Sequence, residues 1–138
     1  MRMIRRAFAA LALGVCAMAL AVGGASAKPT EDAWGIEDVM KKLTGKKGAV
    51  AKASAAVKAG DWDAAAKVSD TLKHGADLAS NKPPRGDQKS WDSLAKAFGD
   101  NTSAMVKAIS DKDKAAFDKS AKAVGGSCKA CHDKHKPN

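Results

Sequence analysis

Val124-Gly125-Gly126-Ser127-Cys128-Lys129-Ala130-Cys131-His132-Asp133 is the stretch around which the rest of this chain is organised. Cys128, Cys131 and His132 spell C-x-x-C-H, the attachment signature of c-type haem. On a helix, positions i, i+3 and i+4 lie on one face, so two thiols and an imidazole meet the same flat ligand. Each thiol adds across one vinyl group of the porphyrin, and the adjacent imidazole binds the iron. The expected cofactor is therefore one haem c, held by two thioethers near the C-terminus. Other readings of the motif explain less. A zinc site needs four ligands, and Cys128, Cys131, His132 and His135 crowd together without the long spacer of a zinc finger. A thioredoxin-type C-x-x-C needs a βαβ context, and no strand pattern surrounds this one. A disulfide gives no reason for the histidine.

The other end of the chain supplies the compartment in which haem is attached. Arg2, Arg5 and Arg6 form a charged start, residues 7–22 an apolar run, and Ala25-Ser26-Ala27 a small-x-small cleavage pattern. The reading is a cleaved export signal over residues 1–27 and one haem-binding domain over 28–138, located in the periplasm. The apolar run is shorter than the roughly 20 residues a membrane span needs, so no stable membrane insertion is expected. Cys16 leaves with the signal, and Val15 before it makes a poor lipoprotein site. The two remaining cysteines both belong to the haem motif, which leaves none for a disulfide framework.

Of 24 Lys+Arg, three leave with the signal, so 21 stand against 15 Asp+Glu and the mature net charge is +6. The basic residues are spread along the chain with no Arg cluster, which reads as a solvated lysine surface rather than a nucleic-acid site. The functional reading of the charge is brief, steered contact with redox partners that offer an acidic docking surface. A chain this size buries only about 65% of its unfolded surface. Its core is rich in Ala, so a covalent porphyrin supplies much of the apolar volume.

After the signal the sequence reads as helix throughout, rich in Ala, Lys and Asp, with no alternating pattern. The periodicity predicts helices over residues 36–58, 61–80, 87–109 and from Ser110 or Asp111 to His135, where Pro137 stops the last one. Asp61 is the expected cap of the second, and residues 81–86 form the one clear loop. Gly45 and Gly48 weaken the first helix and predict a kink or break. The core stripes are Val39, Leu43 and Val57 in the first helix, Leu72, Ala76 and Ala79 in the second, Trp91, Phe98, Met105 and Ile109 in the third, and Phe117 and Val124 in the fourth. Spacings of three and four are those of bundles. The fold class is an all-α, up-down-up-down antiparallel four-helix bundle. In that topology the start of the first helix, the end of the second, the start of the third and the end of the fourth share one end.

His132 lies at that end, and so must any residue facing it across the iron. Met40 stands only ~6 Å from the start of its helix and lies on the core stripe. Met105 is ~27 Å from the haem end and reads as core. His74 is ~9 Å away, on a partly solvated face. His135 is too near His132 in sequence to reach the opposite ring face, and a propionate is its expected contact. Met40 is therefore the expected sixth ligand, with His132 the fifth. Thioether ligation favours the ferrous state and raises the potential.

The chain resembles the class II cytochromes c, the cytochrome c-prime family and its low-spin relatives. The resemblance rests on residues 124–133, on the segment from Lys82-Pro83-Pro84 through Trp91 to Phe98, and on Met40, which falls where low-spin members carry their methionine. Up-down-up-down bundles include this family. The likeness implies a haem pocket with Trp91 packed beside the porphyrin. It departs at Ile36, where an Arg is often found for a propionate; Lys41 or Lys42 is the substitute expected here. Lys136 stands where the family often has a basic residue.

The expected function is periplasmic electron transfer, in which His132 and Met40 cap the iron and Lys129, Lys134 and Lys136 flank the exposed haem edge. The alternative is a five-coordinate protein of the cytochrome c-prime type that binds NO or CO. No second haem motif, base–nucleophile pair or further metal site points to an enzyme. The protein is expected to be a monomer or a homodimer.

Overall fold

The computed structural model describes residues 33–137, so the expected signal over 1–27, with Cys16, lies outside the described residues. Within them the chain is helical and forms no strand. In order come α1 (Ile36–Asp38), a π-helical turn (Val39–Thr44), α2 (Ala49–Ala59), α3 (Trp62–Ala66), α4 (Ser69–Lys73), a 3₁₀ helix (His74–Ser80), α5 (Gln88–Asp111) and α6 (Lys114–His135). They pack as a helical bundle around one core, whose largest fully buried side chains include Trp91, Phe117, Leu43, Leu72, Leu78 and Met105.

The first predicted helix is not continuous. It breaks after Thr44 and resumes at Ala49. The two glycines permit this because the chain turns back hard on itself. A Cβ on Gly45 would stand 2.6 Å from the Lys41 carbonyl oxygen, and one on Gly48 2.5 Å from that of Leu43. No other residue fits either position without moving backbone.

The second predicted helix is also divided. Asp61 caps α3 as expected, accepting from the Ala64 N–H at 2.9 Å. The chain then leaves α-geometry at Lys67 and Val68 and ends as a 3₁₀ helix. Its buried residues are Ala65 and, further on, Leu72, Gly75 and Leu78, not the expected Ala76 and Ala79, which are exposed. A spacing of three is the period of a 3₁₀ helix, in which residues i and i+3 eclipse. The shift lets backbone meet backbone. A Cβ on Gly75 would lie 2.2 Å from Thr102 Oγ1, and one on Gly99 2.9 Å from the Ala76 Cα.

The last two helices follow the sequence closely. Asp87 caps α5, accepting from Ser90 N–H at 2.8 Å, and Asp113 caps α6, accepting from Ala116 N–H at 2.9 Å. Between them Lys112 takes the left-handed conformation (φ 54°), and its N–H bonds back to the Ala108 and Ile109 carbonyls. The start of α5 thus returns to the end of α6, where Ser90 and Trp91 meet His135. At the same end Trp34 N–H donates to Asp77 Oδ2 (2.9 Å), Asn81 Nδ2 donates to the Trp34 carbonyl (3.1 Å), and Trp91 Nε1 donates to the Asn81 carbonyl (2.6 Å). These bonds join four regions far apart in sequence at the end of the molecule that holds the C-x-x-C-H turn.

Candidate functional site

At that end a cavity of about 540 Å³ opens to the surface. Its walls include Ile36 and Met40 from the first helical region, Trp91 from α5, and Cys131, His132 and His135 from α6. A second, narrow space of about 20 Å³ lies deeper, bounded by Leu78, Leu94, Phe98 and Cys128. Met40, Cys131 and His132 line both. The larger volume falls within the range of cofactor pockets, which are mostly apolar with few polar groups.

The three histidines have different surroundings. His135 is 1% exposed and fully engaged. Its Nδ1–H donates to the Arg85 carbonyl (2.7 Å), its Nε2 shares a hydrogen bond with the Ser90 hydroxyl (2.9 Å), and its ring meets Trp91 edge-on with centroids 5.4 Å apart. The Arg85 carbonyl places a proton on Nδ1, because a carbonyl can only accept. His135 thereby has a structural role: it pins the loop before α5 to the end of α6. Gly86, at φ 83°, passes so close that a Cβ there would stand 2.9 Å from Nδ1. His74 is also held. Its ring stacks on Trp34 at 4.0 Å with an interplanar angle of 2°, and its Nδ1 lies 2.7 Å from Asp77 Oδ2. His132 is exposed, lines the cavity and makes no side-chain hydrogen bond or ion pair among the described residues.

The thiols of Cys128 and Cys131 are free and half-buried one turn apart on α6. Cys128 Sγ lies 3.3 Å from the Val124 carbonyl. Burial pushes the Cys131 thiol up, and the neighbouring Cys128 adds to that rise. Both thiols thus border the spaces that Met40 and His132 line, and this donor set fits a covalently attached haem.

Met40 is half-buried and lies within the π-helical turn. Such turns are rare and recur at functional sites. Thr44, one turn on, donates its hydroxyl to the Met40 carbonyl at 3.0 Å and stands 3.8 Å from its sulfur. The i, i+4 spacing of Met40 and Thr44 was the only sequence signal for this contact. Met105 is fully buried in the core, away from the cavity. Trp91 lines the cavity while its indole N–H is spent on Asn81. Lys41 and Lys42, the expected substitutes for an Arg at Ile36, do not line this cavity; they pair with Glu37 and Asp38 and face another one. Lys136 is the basic residue on the haem-motif side.

Residues 86–136 match the family model described as Cytochrome C'. No curated protein and no solved structure matched. The matched segment spans the glycine beside His135, the Trp91 helix and the C-x-x-C-H helix, and members of this family carry covalently bound haem c. Over these residues the chain is similar to the Cytochrome C' family, whose model covers the α5 start and the whole C-x-x-C-H helix.

Proposed function

We propose that this protein carries electrons in the periplasm, with one haem bound through Cys128 and Cys131 and with His132 and Met40 as axial ligands. The observation that carries this reading is that Met40 and His132 line the same two spaces beside Cys131. His132 supports it by being the histidine left without another partner. The bound haem supplies a one-electron couple. Trp91, Ile36 and Phe98 keep water from its faces, and the α6 helix fixes His132 beside the thiols. Thr44 ties down the turn that holds Met40. Met40 and His132 together would hold the iron and leave no place for a substrate there, and the group would supply one-electron exchange with partner proteins.

Lys129, Lys134 and Lys136 are exposed around that edge. Asp133 beside Lys129 raises the pKa of its ammonium, so the group stays charged throughout the physiological range. The docking this suggests is brief and small in area, as redox encounters are. We read the whole as an up-down-up-down bundle, exported by the segment over residues 1–27. No helix among the described residues is long and apolar enough to cross a membrane.

The family match is equally consistent with a protein that binds NO or CO at an open iron position. Exposure of the reduced holoprotein to CO separates the two. Electron transfer with Met40 on iron expects little and slow CO uptake beside reversible one-electron oxidation. Rapid, stoichiometric CO binding by the wild-type protein would make gas binding the function.

A further inference from the structure

Behind the π-turn lies a second cavity of about 350 Å³ with the opposite chemistry. Trp34, Lys41, Lys42, Lys47, Lys52 and Thr71 line it. Four lysine side chains therefore border one space, with an indole as one wall and a threonine beside it. No Asp or Glu lines it. The convergence is a product of the break in the first helical region. In one unbroken helix Lys42 and Lys47 would point roughly 140° apart, at 100° per residue. The turn at Gly45 and Gly48 brings Lys47 round to the side of Lys41 and Lys42, and Lys52 follows from the second turn of α2.

The lysines are not neutralised as a set. Lys41 and Lys42 each pair with a carboxylate four residues earlier on the exposed surface, contacts that water screens and that yield easily. Lys47 and Lys52 have no carboxylate partner among the described residues. Like charges gathered on a concave wall repel one another and focus positive potential on the space between them. The wall is also built rather than loose. Trp34 carries the Lys42 ammonium 4.7 Å from its ring centre, stacks on His74, and has its backbone N–H and carbonyl held by Asp77 and Asn81, which fixes the wall in place.

We propose that this lysine-lined cavity binds a multiply charged phosphate group, either free or carried as a lipid headgroup. Several ammonium donors around one concave space match an anion with several oxygens and a charge above one, whereas a single carboxylate would satisfy few of them. The site is separate from the haem cavity and does not depend on how the iron is ligated.

The test uses the holoprotein at constant ionic strength, with pyrophosphate or inorganic phosphate replacing chloride, followed by calorimetry and by amide NMR shifts. The expected result is saturable one-to-one binding, tighter for pyrophosphate, with shifts centred on residues 41–52 and Trp34. Lys47→Gln with Lys52→Gln is expected to weaken it at least tenfold, while Lys129→Gln with Lys134→Gln leaves it unchanged. Co-sedimentation with vesicles containing phosphatidic acid, a phosphomonoester lipid, that Lys47→Gln with Lys52→Gln abolishes would assign the phosphate to a headgroup; titration without sedimentation would assign it to a free anion. Absence of saturable binding, or equal weakening by both lysine pairs, would overturn the proposal. So would binding of an oligoglutamate peptide by a protein that ignores pyrophosphate, since the face would then serve protein docking.

Discussion

At the scale of single residues, His135 shows how a side chain three positions past the haem histidine takes a wholly different part. Both its nitrogens are used, one on the Arg85 carbonyl and one on the Ser90 hydroxyl, and its ring packs against Trp91. Truncation removes a buried ring and leaves a backbone carbonyl without its donor. His135→Ala is expected to lower stability by about 2–4 kcal/mol, read from urea unfolding of the holoprotein. His135→Asn, which can still donate and accept, is expected to recover part of that. His132 and His135 look equivalent in the sequence. What separates them is which face of α6 meets the loop before α5, a fact set by the folded position of Gly86 and invisible in spacing alone.

At the scale of elements, the helix ends carry testable chemistry. Lys112 closes α5 in the left-handed region, which costs a side-chain-bearing residue about 1–2 kcal/mol relative to glycine. Lys112→Gly is expected to raise stability by about 1 kcal/mol, part of the gain being offset by the greater freedom of glycine in the unfolded chain, and thermal unfolding checks it. Asp87 caps α5, and the Ser90 backbone N–H, then the Ser90 hydroxyl, hold its carboxyl below the usual range. Because the folded value is the lower one, the cap's contribution is complete above the ordinary carboxylate pKa and fades as pH falls through the depressed folded value. Asp87→Asn is expected to flatten that acid limb of the stability–pH curve while leaving stability near pH 7 little changed, since Asn also caps.

The same elements show where sequence reading works and where it stops. Asp61 and Asp87 announce their helices because a short acceptor before a helical run has one common use. Gly45 and Gly48 announce a break, although not that the turn before it is π-helical. The divided second helix was hidden by its composition. Leu72, Gly75 and Leu78 carry a period of three, but Ala76 and Ala79 offer an equally good period near 3.6. The choice between them falls to the close approach of Gly75 to Thr102, a tertiary fact.

At the scale of the whole molecule, one end gathers Met40, Trp91, Cys131, His132 and His135 around a single cavity. The haem motif, the bundle class and the ranking of Met40 over Met105 were legible because cofactor chemistry and helix length constrain them. The lysine-lined cavity was not, because Lys47 reaches it only through the break at Gly45 and Gly48. The charge that the composition assigns to a solvated surface thus includes paired lysines along the outer helix faces and one group of four lysines around a single space.

The central claim is that Met40 and His132 cap the iron together. The optical spectrum of the oxidised holoprotein, recorded into the near infrared beside that of Met40→Ala, tests it most directly. The account expects a low-spin spectrum with the weak iron–thioether band in the wild type and loss of that band in Met40→Ala. A high-spin spectrum in both proteins would contradict it.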